Sequence, residues 1–142
     1  MQKVIVALEL CDVLVGIDTA HADEPLAHFD GVWTTVISCT AAVGALPYTY
    51  EFPSTITNSL LHGERGIKGA LGWLQLDGSI LPDGSAAISA HGLVGKERAA
   101  IGERPPGTPY RYRIEAKFSD NSGTGHRATG RTCAVSFSNK GR

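Results

Sequence analysis

The chain of 142 residues predicts an all-β fold: a single small antiparallel barrel of about eight strands, with a two-sheet sandwich as the alternative. Three observations carry this expectation. Apolar and polar residues alternate in segment after segment, the signature of half-buried strands. Turn residues punctuate those segments at short intervals. Two cysteines, Cys39 and Cys133, fall in the first and last of them, on the apolar face of each. No stretch beyond residue 22 sustains a helical period.

In chain order, residues 32–40 place Trp33, Thr35, Ile37 and Cys39 on one side. Tyr48, Tyr50 and Phe52 then alternate with Thr49 and Glu51, until Pro53, which lacks a donor, weakens the pairing. After the turn at Asn58-Ser59 comes a short segment, 59–62, and His62-Gly63-Glu64-Arg65-Gly66 reads as a polar turn whose glycines supply positive φ. Residues 72–81 and 85–91, joined by Pro82-Asp83-Gly84, form the best-defined hairpin, with Leu74, Leu76, Ile80, Ala86, Ile88 and Ala90 alternating. Trp73 breaks that alternation: it is either an outward contact anchor or returned to the core by a bulge. Tyr110 to Phe118 is the most regular strand, with Arg111, Arg113, Glu115 and Lys117 on its polar face. Asn121-Ser122-Gly123 reads as a turn, and Cys133, Val135 and Phe137 share one face of the last strand.

The first 22 residues are a separate unit. Lys3, two apolar runs and Ala20-His21-Ala22 follow the pattern of a secretory leader, so that the domain would be residues 23–142. Glu9, Asp12 and Asp18 interrupt the apolar stretch, which leaves a retained N-terminal helix as the rival reading; on a wheel of about 100° per residue the three acids scatter rather than share a face. The apolar runs are too short for a transmembrane segment, which needs about 20 residues. Cys11 lies inside this unit, so Cys39 and Cys133 remain as an even pair suited to one disulfide and to an extracytoplasmic, periplasmic or secreted, setting. Neither has a second cysteine or a histidine at ligand spacing, so no metal site is predicted.

Charge is balanced overall and uneven in detail. From Asp23 to Gly95 two basic residues stand against seven acidic, a net of −5; from Lys96 to Arg142 ten stand against four, a net of +6. The plain reading is pairing between the halves of one domain. The sharper one is a basic face for an anionic partner, protein or small molecule. No basic arm suggests nucleic acid.

A resemblance enters with Phe29-Asp30-Gly31-Val32-Trp33. Gly31-Val32-Trp33 opening the first strand resembles the Gly-x-Trp start of lipocalins and avidins, the calycin group, which implies structural roles for Gly31 and Trp33 in a closed barrel. In lipocalins a basic side chain covers that tryptophan. Arg131 is the tempting counterpart, yet pairing Cys39 with Cys133 sets Trp33 opposite Asn139 and Arg131 opposite Ala41, so the two cannot stack. Together with Gly72-Trp73-Leu74, Gly107-Thr108-Pro109-Tyr110 and Gly123-Thr124-Gly125 with Arg127, the chain is also similar to small exported bacterial proteins without an assigned activity.

Three functions follow as expectations. The first is an exported, non-enzymatic binding module that uses the barrel mouth or the long non-strand segment from Gly95 to Pro109, with Arg98 and Arg104 as anion contacts and Trp73 as an anchor. The second is a periplasmic inhibitor of a protease or lysozyme. The third is a small hydrolase or isomerase using His62, Glu64 or His91, with Arg65 beside the first two. No nucleophile elbow, phosphate loop, zinc motif or dinucleotide fingerprint occurs, and no cofactor is implied.

Overall fold

Eight antiparallel strands follow one another in chain order: β1 (Gly31–Cys39), β2 (Tyr48–Thr57), β3 (Leu60–Arg65), β4 (Leu74–Ile80), β5 (Ser85–Leu93), β6 (Pro109–Ser119), β7 (Ser122–Arg127) and β8 (Cys133–Ser138). Each pairs with the next, and β8 returns to β1, so the sheet closes into an up-and-down barrel with no unpaired edge. The sandwich alternative is set aside by this closure. The computed structural model describes residues 27–96 and 104–141, so the leader-like segment and Arg98 lie outside the described residues. Among the described residues no helix is long and apolar enough to cross a membrane.

The closing seam is the β1–β8 ladder, from Thr34 opposite Ser138 to Cys39 opposite Cys133. The last pair is a disulfide with Cα atoms 4.0 Å apart, joining positions 94 residues apart in the chain. Both cysteines point inward and are buried.

The two ends of the barrel differ. The tight turns, 58–59, 81–84 and 120–121, gather at the base, and the long connections gather at the mouth. An aromatic plug fills the base. Trp33 is fully buried, its Nε1 donates to the Phe29 carbonyl at 2.9 Å, and its ring meets Phe118 edge-on at 5.4 Å. Phe118 in turn packs on Phe137 at 4.8 Å. Gly31 belongs to this corner: at φ 143 it lies where a side chain would strike the Asn139 amide 2.8 Å away. Above the plug, Ile37, Leu61, Leu76, Ile88, Ile114 and Val135 complete the apolar core. A buried Thr35–Ser54 hydroxyl pair at 2.7 Å lies among them.

Several expectations are corrected. His62 to Arg65 is the mouthward half of β3 and not a turn. Gly63 faces inward because a Cβ there would sit 2.2 Å from the Ser54 hydroxyl. Pro53 stays within β2, paired with Thr34; its missing donor coincides with the limit of the β2–β3 ladder, which begins at Ser54. The turn after β6 is at Asp120-Asn121, and residues 122–127 form a strand that the alternation did not reveal. Its inward positions, Gly123 and Gly125, carry no side chain: Cβ atoms there would meet the Phe118 ring at 2.9 Å and the Glu115 carbonyl at 2.7 Å.

Candidate functional site

The mouth end of the barrel holds a cavity of about 450 Å³, and strand alternation determines what lines it. β2 and β6 both begin at the mouth, and their first inward side chains are Tyr48 and Tyr50, and Tyr110 and Tyr112. Because β2 and β6 stand four places apart in an eight-strand ring, these pairs occupy opposite walls. Tyr48 and Tyr50 pack at 4.6 Å; Tyr110 and Tyr112 are parallel at 6.1 Å. Gly92, opposite Tyr110 in β5, makes room for that ring, since a Cβ there would lie 2.8 Å from the phenol oxygen.

Three guanidinium groups lie over these rings. Arg65, the last residue of β3, sits 3.6 Å from the centre of Tyr50 and donates to the Gly72 carbonyl at 2.8 Å. Arg127, the last residue of β7, sits 4.4 Å from the centre of Tyr112 and donates from Nε to the Thr129 carbonyl at 2.8 Å. Arg131 lies 5.0 Å from Tyr48; it donates from Nε to the Thr40 carbonyl at 2.8 Å and from Nη2 to the Leu46 carbonyl. Cation–π contacts of this kind orient a guanidinium without neutralising it. The described lining carries six cations (Arg65, Lys96, Arg104, Arg111, Arg127 and Arg131) and no carboxylate, with Leu71, Leu93 and Val94 as apolar wall.

Burial raises the pKa values of the phenols. Tyr112 and Tyr110 are pushed well above the ordinary value of 10, first by desolvation and then by neighbouring phenols, with Arg127 pulling partway back. Tyr48 is raised as well, again chiefly by desolvation. All three are therefore protonated donors at neutral pH, not phenolate bases. The Tyr112 hydroxyl is buried without a well-formed hydrogen bond among the described residues, although the Tyr48 phenol is close enough to influence it. Its contact with the Tyr48 phenol is not a well-formed hydrogen bond, so Tyr112→Phe is expected to change stability by less than about 1 kcal/mol in urea unfolding. Since the folded-state pKa values lie above the unfolded value, the stability these phenols contribute is complete below pH ~10 and declines as pH rises further. Tyr110→Phe/Tyr112→Phe should accordingly lose less melting temperature than the parent between pH 9 and 11.

His62, Glu64 and Trp73 lie on the outer wall. His62 Nδ1 is 2.7 Å from Asp77 and its Nε2 is 3.9 Å from Glu64. Gln75 donates to Asp77 at 2.5 Å. Burial pushes the Asp77 carboxyl up, but the hydrogen bonds from His62 and Gln75 outweigh it and hold the group below the usual range. Trp73 neither protrudes nor joins the core: buried on the outer wall, it donates from Nε1 to Glu64 at 2.7 Å and meets His91 edge-on at 5.3 Å. It is thus a structural strut and not a contact anchor. Arg65 points to the opposite side of the sheet, so His62, Glu64 and Arg65 do not converge in one cleft. Among the described residues no group of three or more His, Cys, Asp or Glu side chains is arranged to hold a metal ion.

Arg104 does line the mouth. Arg131, excluded from Trp33 by register, belongs to the mouth as well and is only 5% exposed. The four tyrosines and Arg127 were not singled out as ligand contacts, yet the sequence holds a signal for most of them. Tyr48-x-Tyr50 with Gly63-x-Arg65 recurs as Tyr110-x-Tyr112 with Gly125-x-Arg127, every residue 62 positions after its counterpart.

No protein-family model matches the chain, and no curated protein or solved structure is significantly similar to it.

Proposed function

We propose that this chain is an exported, non-enzymatic binding protein that takes a small anionic ligand with an apolar body into the mouth of its barrel. One observation carries the reading: guanidinium groups laid over tyrosine rings surround a cavity whose described lining has no carboxylate. Tyrosine faces and Leu71, Leu93 and Val94 suit an apolar body, and the cations and protonated phenols suit its acidic group. A volume of about 450 Å³ falls in the range of small-molecule sites. Export is favoured by the leader-like opening and by the Cys39–Cys133 bridge. The dispersal of His62, Glu64 and Arg65 between two sides of the sheet speaks against the hydrolase or isomerase reading.

The test is calorimetric titration with arene carboxylates, arene sulfonates and medium-chain fatty acids, beside their amide and amine counterparts. The acids are expected to bind and the neutral and cationic counterparts to fail, with affinity falling as salt rises from 0.05 to 0.5 M. Arg65→Gln should weaken acid binding about tenfold to a hundredfold, the equivalent of about 1.5–3 kcal/mol for a hydrogen bond to a charged group. Equal binding of acids and amides would overturn the reading.

A further inference from the structure

The recurrence of the tyrosine and arginine pattern extends beyond those residues to an entire hairpin. Thr57 and Leu60 flank the β2–β3 turn, and Ser119 and Ser122, each 62 positions later, flank the β6–β7 turn. Ser54 lies opposite Gly63, and their counterparts Ala116 and Gly125 are likewise opposite one another. In both hairpins the glycine is required, because a Cβ would collide with the facing strand: 2.2 Å from Ser54 in one, 2.7 Å from the Glu115 carbonyl and 2.9 Å from Ala116 in the other. Two residues further on, each glycine delivers an arginine to the mouth.

The endpoints match as closely as the ladders. Arg65 covers Tyr50 and Arg127 covers Tyr112. Each arginine also makes one hydrogen bond to a carbonyl of the loop that follows its own strand, Gly72 or Thr129. Neither pairs with a carboxylate among the described residues. A guanidinium has five N–H donors, so each retains donors for a planar acidic group. Since β2–β3 and β6–β7 stand diametrically opposite in the ring, the two arginines approach one cavity from opposite walls. The halves are not identical. Arg131 joins the Tyr48 side alone, and the Tyr112 hydroxyl, on the other, is buried and lies toward the Tyr48 phenol.

Resting on the anion-binding reading above, we propose that the mouth holds two matched half-sites and that its ligand is a dianion, a dicarboxylate with an apolar or aromatic spacer, one acidic group at Arg65 and the other at Arg127. Tethering the second acidic group turns its capture into an intramolecular event, so affinity depends sharply on spacer length.

The experiment titrates the full chain with linear α,ω-dicarboxylates of increasing length and benzene-1,4-dicarboxylate, each beside the monocarboxylate of the same skeleton. Expected is an optimum spacer at which the dianion binds one per chain and at least tenfold more tightly than its monoanion, while monoanions reach two per chain. Arg65→Gln and Arg127→Gln should each reduce the dianion to the affinity of the monoanion and leave a single monoanion site. If either glutamine variant does not fold, Arg65→Lys and Arg127→Lys, which keep the charge and lose the planar fork, carry the same comparison with a smaller loss. Monoanions and dianions binding alike at every length, with one arginine controlling both, would overturn the dianion and keep the anion site. Binding of neither kind would overturn both readings.

Discussion

Reducing the Cys39–Cys133 bridge, or replacing both cysteines by alanine, is expected to lower the unfolding free energy by about 4–5 kcal/mol. The bridge closes a loop of 94 residues, and in the chain-entropy account a loop of that length restrains the unfolded chain by about that amount. Small domains have only about 5–15 kcal/mol in total, so the reduced protein should be marginal at body temperature. The location adds a local consequence. The cystine clamps the β1–β8 seam at its mouth end, next to Thr40, whose carbonyl anchors Arg131. Urea unfolding with and without reductant, followed by circular dichroism, measures the first effect, and ligand titration of the folded fraction measures the second. A midpoint shift equivalent to less than about 1 kcal/mol would contradict the restraint argued here.

At the other end, Trp33→Ala should cost about 3–5 kcal/mol, the range for deleting a large buried aromatic. Trp33 is fully enclosed and holds the Phe29 carbonyl at 2.9 Å. Its ring supports Phe118, which packs against both Phe29 and Phe137. Deleting it opens a void against the Phe118 ring, and it strands a buried carbonyl. Trp33→Phe should cost about 1–2 kcal/mol, since it keeps most of the ring contact and loses the N–H donor. Both variants should retain the affinity of the parent in the fraction that remains folded, because the plug and the mouth are at opposite ends of the barrel. The same denaturation series decides it, and a loss below about 1 kcal/mol for the alanine variant would show that the base does not depend on this residue.

Fold and site were legible in the sequence to different degrees. Strands whose inward positions carry large side chains stood out: Leu74, Leu76 and Ile80 in β4, and Tyr112, Ile114 and Phe118 in β6. The seam register followed from one assumption, that Cys39 faces Cys133, and it correctly denied Arg131 a place over Trp33. β7 escaped notice because its inward positions are glycines, so the packing partner is backbone and the alternation has no apolar member. The segment His62–Arg65 reads as a turn in the sequence for a related reason: glycine marks turns and close approaches alike, and only the facing Ser54 decides which. Arg104 reads from the sequence as an anion contact on the long loop, and its place in the lining of the mouth comes from the structure, whereas Tyr48, Tyr50, Tyr110 and Tyr112 read simply as inward strand positions.

Periodicity of two, turn chemistry and an even pair of cysteines were enough to specify antiparallel strands, a single domain and a stapled seam, because each depends on local sterics or on one covalent bond. Which inward residues become packed core and which become a cavity lining is not a local property. Tyr50 and Phe52 occupy equivalent faces of one strand, yet Phe52 joins the core and Tyr50 stands under a guanidinium at the mouth. That difference arises from ring closure. A closed barrel filled with aromatic rings at one end leaves the other open, and it brings side chains from opposite strands, distant in sequence, across a single space. The cationic cup is therefore a product of the tertiary arrangement: Arg127 reaches it from a strand that the pattern did not reveal, and Arg65 from a segment that reads as a turn.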